Sequence, residues 1–259
     1  GGSILKSLNN LGYFVVGVSK SSHMEAQNFC SLASVDVKDI DDCDVVFVCS
    51  KMSETLDILD KLENIVKPGC IVTDVCSLKR FVNNKKRSYD FVGSHPMAGT
   101  EFSGFEHSFA ELFFGAKWIL NKPNDILQKL IKEMGSKPVI MDEHSHDKAA
   151  CLVSHLPMLI SCALFNTVLK DNKVALKIAS SGFRDTTRLA LTNASLALDM
   201  LELNSDNFDI FIDDFIQNLK KLKNMPKAEF IQTLNSIQKI RSQMYDNDGK
   251  NRLSYEEEI

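Results

Sequence analysis

The sequence predicts an α/β fold with a doubly wound parallel sheet, followed by an all-α C-terminal part. Up to about Met141, short apolar runs alternate with helical stretches. Several of these runs are continuously apolar, as expected for strands that helices cover on both faces. After about Asp142 the strand-like runs stop, and apolar residues recur every three or four positions, which is the period of a helix.

The predicted elements follow in chain order. An apolar helix at residues 4–11 comes first. Two amphipathic helices near the C-terminus flank Asn224-Met225-Pro226 as a hairpin, and we expect their apolar stripes to be core or dimer contacts. The change of period predicts one domain at residues 1–141 and a helical domain at 142–259. Between the first helix and the helical domain lie six strand candidates: 13–18, 44–49, 71–75, 91–94, 117–120 and 138–141.

Composition and charge exclude several kinds of partner. The 259 residues have a net charge of -4 and no dense Lys/Arg stretch, so the sequence predicts neither nucleic acid nor a membrane surface as a partner. No uninterrupted apolar run reaches the roughly 18 residues of a membrane span. The seven cysteines form no C-x-x-C pair, which indicates reduced core residues of a cytoplasmic protein. Because the chain does not begin with Met, an upstream targeting segment stays open.

Two segments near the N-terminus indicate that the protein binds a dinucleotide. Gly1-Gly2-Ser3 precede the first helix, where a G-x-G-x-x-G fingerprint ends and lets the backbone approach a pyrophosphate. The same tripeptide also occurs in cloning linkers. The turn Ser19-Lys20-Ser21-Ser22 after the first strand lacks the carboxylate that holds ribose hydroxyls in NAD enzymes. It therefore favours NADP, with NAD or a merely solvated turn as the alternative.

Candidate catalytic residues follow two consecutive strands. The segment 74–79 (DVCSLK) comes after one strand, and the segment 93–101 (GSHPMAGTE) comes after the next. Ligands bind at the carboxyl edge of such sheets. His95, followed by Pro96 and flanked by Gly, is poorly placed for core packing, so it is a candidate catalytic base.

The helical part contains three more polar segments, at 146–147, 154–157 and 180–188. Singly, each has a structural explanation: a helix cap, a core histidine, and an ion pair between Arg184 and Asp185. A further segment, 246–257, imitates a calcium loop, but Lys and Asn replace a ligand and the turn glycine. The sequence therefore predicts no metal site.

In this order, the strings resemble a known family. DVCSLK, GSHPMAGTE, HDKAACLVSHLP and SSGFRDTTR, after a Rossmann-like start, are similar to prephenate/arogenate dehydrogenases over nearly the whole chain. The resemblance implies that residues 1–141 bind the dinucleotide and that residues 142–259 bind substrate and dimerise. Gly1 would be the third fingerprint glycine, so the first strand and two glycines of that pattern are absent.

The resemblance also implies the chemistry, which is oxidative decarboxylation of prephenate or arogenate with hydride transfer to NAD(P)⁺ in tyrosine biosynthesis, by a homodimer. His95 would accept the proton of the C4 hydroxyl of a cyclohexadienyl substrate, and Ser77 would hydrogen-bond the same hydroxyl. Arg188 would clamp a carboxylate and His155 would hold the substrate from the helical side. The candidate cofactor-binding residues are Gly1, Gly2, Ser3, Ser19, Lys20, Ser21, Cys49, Ser50 and Ser77.

The substrate and two other functions stay open at this point. The strings SSGFRD and GVSKSS are most similar to the NADP-linked arogenate branch, whereas Glu101 is typical of the prephenate branch. Ala197 stands where many prephenate-type members have Trp. A 3-hydroxyacid-type dehydrogenase of similar architecture would need a catalytic Lys in the helical part. A non-catalytic dimeric remnant is the third possibility.

Overall fold

The computed structural model describes residues 1–100, 102–171, 173–245, 251 and 253. By packing, the chain divides into two compact units, residues 1–207 and 208–259. The first unit thus includes helices from beyond residue 142, because these pack together with the strand-containing region. The domain boundary between residues 141 and 142 stays a prediction.

Within the described residues, the first unit contains eight short strands: β1 (Val16–Val18), β2 (Leu32–Ser34), β3 (Val45–Val48), β4 (Ile71–Asp74), β5 (Asp90–Val92), β6 (Ser94–Pro96), β7 (Lys117–Leu120) and β8 (Lys137–Ile140). β1 pairs with β2, and β3, β4 and β5 form a second group, all in parallel. β6 pairs antiparallel with β7, which is parallel to β8. Parallel pairing predominates, as predicted for a Rossmann-like sheet.

One strand prediction was wrong in form. The run 91–94 forms the end of β5 and the start of β6 instead of one strand, and β6 runs antiparallel to its neighbour. The ladder with β4 ends at Val92, because the N–H of Ser94 donates to the carboxylate of Asp74 at 3.0 Å instead of to a strand. The sequence also does not predict β2, because its three residues are too few to show the alternation of a strand.

The described residues contain ten α-helices: α1 (Gly2–Asn10), α2 (His23–Ala26), α3 (Met52–Leu62), α4 (Asp125–Glu133), α5 (Glu143–Ala150), α6 (Leu156–Asp171), α7 (Ser181–Thr187), α8 (Ala194–Leu203), α9 (Ser205–Asn224) and α10 (Lys227–Met244). A π-helical turn, Cys151–His155, joins α5 to α6. Such turns often occur at functional sites. α9 and α10 are the two predicted amphipathic helices, separated by Met225 and Pro226.

The helix that runs from Glu143 to Lys170 is 28 residues long, and by length and composition alone it could cross a membrane. Its most apolar window of 18 residues has a mean hydropathy of 1.7, and 22% of that window is buried inside the protein. The sequence predicts no membrane span, because no uninterrupted apolar run reaches roughly 18 residues. The difference arises because an averaged hydropathy tolerates isolated polar residues, and a core helix of the same composition meets it too.

Apolar clusters cover both faces of β3. Val45 and Phe47 pack against a buried cluster around Trp118, whereas Val46 and Val48 belong to a second cluster around Leu59. Since side chains alternate along a strand, a strand that is apolar at every position needs a core on each face. The two clusters therefore confirm the prediction of a sheet covered by helices on both sides.

Candidate active site

A buried carboxylate at the end of β4 positions both candidate catalytic segments. Asp74 accepts hydrogen bonds from the backbone N–H of Cys76 at 2.9 Å and from that of Ser94 at 3.0 Å. Each of these residues directly precedes a candidate, Ser77 and His95 respectively. One side chain thus fixes the backbone beside both candidates. Ser77 follows β4, as expected, whereas His95 lies within β6 instead of after a strand.

Lys79 completes this anchor. Its ammonium forms an ion pair with Asp74 and donates to the carbonyl of Ser94 at 2.6 Å, and neither charged side chain is accessible to solvent. The hydroxyl of Ser94 donates to the Asp74 carbonyl at 2.6 Å and accepts from the indole N–H of Trp118 at 3.0 Å. Buried charges persist in proteins when they are paired and hydrogen-bonded in this way. The string DVCSLK contains both Asp74 and Lys79, but their shared role as an anchor depends on contacts that the sequence does not indicate.

His95 begins a hydrogen-bonded chain of three side chains. Its Nδ1 lies 3.0 Å from Nε2 of His146, and Nδ1 of His146 lies 2.8 Å from Oδ1 of Asp147. The two imidazole rings meet edge to face, with an interplanar angle of 78°. His146 and Asp147 are buried, whereas His95 is partly exposed. This series of hydrogen-bonded side chains therefore ends in His95, which a substrate could reach.

Asp147 joins α5 to the segment that follows Ser77. Its carboxylate accepts from the backbone N–H groups of Lys79 at 2.7 Å and Arg80 at 3.0 Å, and from Nε of Arg80 at 3.3 Å. The residue that caps α5 is Asp142, not His146 or Asp147. Its Oδ1 accepts from the backbone N–H groups of His144 and Ser145. The structural explanation of His146-Asp147 as a helix cap was therefore wrong. Residues 143–148 are all polar, so no local signal distinguishes the two that are buried.

Electrostatics keep His95 and His155 neutral and Asp147 ionised. Desolvation, then the charges of His146, Lys79 and His155, hold the pKa of His95 well below 6.5. Burial likewise lowers the pKa of His155 to about 4. Burial opposes ionisation of Asp147, but hydrogen bonds from His146 and from two backbone N–H groups outweigh it and lower its pKa. His95 is therefore a weaker base than a free imidazole, but it stays neutral over a wider pH range.

The other substrate candidates lie on different elements. Ser77 is partly exposed, with its Oγ 3.5 Å from Sδ of Met52. His155 ends the π-helical turn and is buried. Arg188 is exposed directly after α7, and among the described residues no hydrogen bond links it to Ser77 or His95. The structure thus brings Ser77 and His95 to one anchor but does not join Arg188 to it.

The segment of Arg188 is held by α6, the helix that continues from His155. Oγ of Ser161 in α6 accepts from the N–H of Ala190 at 3.1 Å and donates to the carbonyl of Thr186 at 3.2 Å. The expected ion pair nearby is present, with Nε of Arg184 2.8 Å from Asp185. Arg184 is therefore engaged with its neighbour, whereas Arg188 presents its guanidinium to solvent.

The glycines at the start of α1 lie against other segments of the chain. A Cβ on Gly1 would come within 3.2 Å of Cβ of Cys49, which follows β3. A Cβ on Gly2 would lie only 2.6 Å from Oγ of Ser108, so a side chain could not be added without displacement. Oγ of the buried Ser3 accepts from the N–H of Phe109 at 3.3 Å. These residues border a cleft of about 170 Å³.

The remaining cofactor candidates lie after β1 and β3. Oγ of Ser19 accepts from the N–H of Ser22 at 3.0 Å, and Lys20 and Ser21 are exposed. The hydroxyl of Ser50 is 2.9 Å from that of Thr55. A larger cavity of about 310 Å³ lies on the surface of α4 and contacts no candidate residue.

The remaining expectations concern Glu101, the calcium-like segment and Ala197. Glu101 and residues 246–250, 252 and 254–257 of the calcium-like segment lie outside the described residues. Ala197, at the position where many prephenate-type members have Trp, is partly exposed on α8. Among the residues that the structure describes, no group of three His, Cys, Asp or Glu side chains could hold a metal ion.

Two family models match the chain in succession. Residues 8–137 match the nucleotide-binding domain of prephenate dehydrogenase, and residues 142–242 match its dimerization domain. A prephenate dehydrogenase of Lactococcus lactis is 27% identical over 82% of this chain and 64% of its own length. One of Bacillus subtilis is 27% identical over 90% of this chain and 69% of its own length. The chain thus spans slightly less than two thirds of the first relative.

Solved structures are similar over nearly their full length. The arogenate dehydrogenase of Synechocystis is 27% identical, with a TM-score of 0.78 over 93% of this chain and 95% of that chain. A prephenate dehydrogenase of Aquifex aeolicus, solved with hydroxyphenyl propionate and NAD⁺, is 26% identical, with a TM-score of 0.81 over 93% of both chains.

Proposed function

Because the chain belongs to the prephenate dehydrogenase family, we propose that it catalyses the oxidative decarboxylation of prephenate or arogenate with a nicotinamide cofactor. The observation that carries this proposal is the common anchor of Ser77 and His95. Each follows, by one residue, a backbone N–H that the buried Asp74 binds. A hydroxyl donor and a neutral imidazole anchored by one carboxylate suit removal of a proton from an alcohol.

The start of α1 fits such a cofactor. Gly2 leaves no room for a Cβ and Gly1 leaves little, and the N-terminus of α1 presents the N–H groups that favour a pyrophosphate. The adjoining cleft, of about 170 Å³, is smaller than the roughly 300 Å³ of a complete ligand pocket. We therefore assign it to the pyrophosphate rather than to the whole dinucleotide. When bound, the nicotinamide accepts the C4 hydrogen of the substrate as hydride.

The side chains of this protein manage the proton and the carboxylate. His95 accepts the proton of the C4 hydroxyl while Ser77 donates a hydrogen bond to the same oxygen. As C4 loses hydride, the C4–O bond becomes a carbonyl. The bond between the ring and its carboxylate then breaks, its electron pair makes the ring aromatic, and carbon dioxide leaves. The proton held by His95 returns to the phenolate oxygen, so the base is regenerated.

Arg188 and His155 hold the substrate in this proposal. The guanidinium of Arg188 is exposed and can form two parallel hydrogen bonds with a carboxylate. His155 precedes α6, the helix that holds the Arg188 segment through Ser161. Both residues thus belong to connected elements. Arg188 is open to a ligand in this structure, whereas His155 is fully buried and would have to become accessible to contact the substrate.

We propose NADP⁺ as the preferred cofactor. Lys20 and Ser21 are exposed after β1, and Ser19 accepts a backbone hydrogen bond that leaves its own hydroxyl proton available. A 2′-phosphate carries close to two negative charges and suits such a group of donors. No carboxylate precedes them in this turn to repel the phosphate.

We propose a homodimer formed through the helical region. Residues 142–242 match a domain described by its dimerization, and α10 has an apolar stripe that is exposed in the single chain. Its members recur every three or four positions: Phe230, Leu234, Ile237 and Ile240. We place this dimer in the cytoplasm, since all seven cysteines are free thiols.

The direct test is an assay of the four combinations of prephenate or arogenate with NAD⁺ or NADP⁺. Reduced nicotinamide should form together with carbon dioxide and a 4-hydroxyphenyl product in at least one combination. The same assay separates the alternatives, because a 3-hydroxyacid-type enzyme would reduce cofactor only with a 3-hydroxyacid. A folded protein that binds cofactor and turns over none of these substrates would overturn the proposal in favour of the non-catalytic remnant.

A further inference from the structure

We propose that His146 and Asp147 are positioning residues that fix the tautomer of His95, so that its Nε2 is the nitrogen that accepts the substrate proton. The inference rests on the proposed function, in which His95 is the base. It adds two residues that touch neither reacting atom but determine which ring nitrogen is available.

The carboxylate of Asp147, when ionised, can only accept hydrogen bonds. It faces N–H groups of Lys79 and Arg80 and Nδ1 of His146, at distances between 2.7 and 3.3 Å. Three N–H donors of Lys79 and Arg80 already bind this carboxylate, and hydrogen bonds lower its pKa, so Asp147 is ionised and has no proton to present to His146. Nδ1 of His146 must therefore carry the proton that joins them at 2.8 Å.

The tautomer of His95 follows when each ring carries one proton. With Nδ1 of His146 protonated, its Nε2 has a lone pair and accepts. Nδ1 of His95, 3.0 Å away, must then be the donor. Nε2 of His95 is left with the lone pair that a general base needs. The other tautomer of His95 would place two lone pairs against each other in a buried site.

The same contacts stabilise His95 after it accepts the proton. An imidazolium at His95 keeps its Nδ1–H directed to His146, and the negative charge of Asp147 lies beyond that ring. This arrangement follows the logic of a catalytic triad, in which a carboxylate orients an imidazole without taking its proton. Burial of His146 and Asp147 makes the interaction stronger than it would be in water.

Asp147 is also held firmly enough for this role. Its backbone carbonyl accepts from Nδ2 of Asn204 at 2.9 Å, and Arg80 is in turn fixed by Asp206 at 2.6 Å and by Asn204 at 2.7 Å. Lys79, whose N–H it binds, is two residues beyond Ser77. One carboxylate thus sets both the tautomer of His95 and the end of the segment that contains Ser77.

The first test reads the tautomer directly, without substrate. Histidine labelled with ¹⁵N in the otherwise unlabelled protein reports which ring nitrogen is protonated, and the His95→Asn variant identifies the signals of His95. We expect His95 protonated at Nδ1 in the unsubstituted protein and a mixture of tautomers in His146→Gln, because an amide can donate as well as accept. A proton on Nε2 of His95 in the unsubstituted protein would overturn the inference.

The second test uses turnover. His146→Gln should lower kcat roughly 10- to 100-fold, as for loss of a supporting contact, with KM and cofactor affinity little changed. Asp147→Asn should act in the same direction, but its amide would face the N–H groups of Lys79 and Arg80, so its folding is checked by its unfolding transition. His144→Gln, an exposed histidine on the same helix, is the matched control and should keep full activity.

The outcomes separate the two proposals. If the unsubstituted enzyme turns over no substrate while His95 shows the expected tautomer, the proposed function fails and the structural part of the inference stands. If the unsubstituted enzyme is active and His146→Gln retains its kcat, the positioning role is refuted and the function is unaffected.

Discussion

Asp74 and Lys79 form an ion pair in which neither side chain is accessible to solvent, and the Asp74 carboxylate also binds the backbone beside Ser77 and His95. The pair therefore connects the stability of the fold with the geometry of the site. Removing one partner of a buried pair leaves an uncompensated charge, which is costly.

We expect Lys79→Met to lower the free energy of unfolding by about 3 to 5 kcal/mol, because Asp74 would remain buried without its cation. Chemical denaturation measures the change. Lys67→Met is the control, since Lys67 pairs with Asp42 and Asp44, whose carboxylates are 96% and 90% exposed, and it should change little. Equal effects of the two substitutions would show that the Asp74 anchor is not important for stability.

We expect His95→Asn to lower kcat by roughly 100- to 10,000-fold, because Asn keeps a hydrogen bond but cannot take the substrate proton. Cofactor affinity, measured by titration, should be unchanged. His144→Asn replaces an exposed histidine and is the control. Turnover within about threefold of the unsubstituted enzyme would exclude His95 as the base.

In the pH profile of kcat/KM, the acidic limb should lie at a lower pH than an ordinary histidine would give. His95 acts as a base only when neutral, and desolvation together with His146, Lys79 and His155 holds its pKa well below 6.5. Activity should therefore stay level as the pH falls through 6.5 and decline only at lower pH, in the window below the ordinary histidine pKa. An acidic limb centred at or above 6.5 in the free enzyme would contradict this lowered pKa.

Arg188→Lys should raise KM strongly with a smaller effect on kcat, because a single ammonium cannot reproduce a two-pronged contact with a carboxylate. Steady-state kinetics with the preferred substrate measure it. Arg184→Lys is the matched control, because Arg184 lies on the same segment but is already paired with Asp185. If the two variants have the same KM as the unsubstituted enzyme, the carboxylate is bound elsewhere.

Ser19→Asp should reverse the cofactor preference from NADP⁺ to NAD⁺. The new carboxylate would repel a 2′-phosphate and could hold free ribose hydroxyls. A starting preference for NADP⁺ of the order of tenfold to a hundredfold is expected from charge-assisted contacts. Lys20→Ala should weaken that preference, while Lys38→Ala, at another exposed lysine, should not. A starting preference for NAD⁺ in the ratio of kcat/KM values would mean that the turn is only solvated.

Local patterns in the sequence were sufficient for the fold class. Apolar runs without alternation predicted strands with a core on each face, and Val45 to Val48 divide between two clusters accordingly. The change to a helical period predicted α9 and α10. Ser77 follows β4, as predicted, whereas His95 lies within β6 and not after a strand. The carboxylate of Asp74, at the end of β4, binds the backbone beside both residues.

Partners that are distant in the chain were decided only by tertiary packing. His146 is 51 residues from His95, and Asp147 is 68 residues from Lys79, so no local spacing indicates that they meet. Periodicity reports which face of an element is buried, but a polar residue within a helix looks the same whether it caps, faces solvent or binds a distant side chain. Which of these occurs depends on how α5 packs against the segment after β4. The order of motifs along the chain therefore identified the family, whereas the geometry that makes His95 a base of defined tautomer required the folded structure.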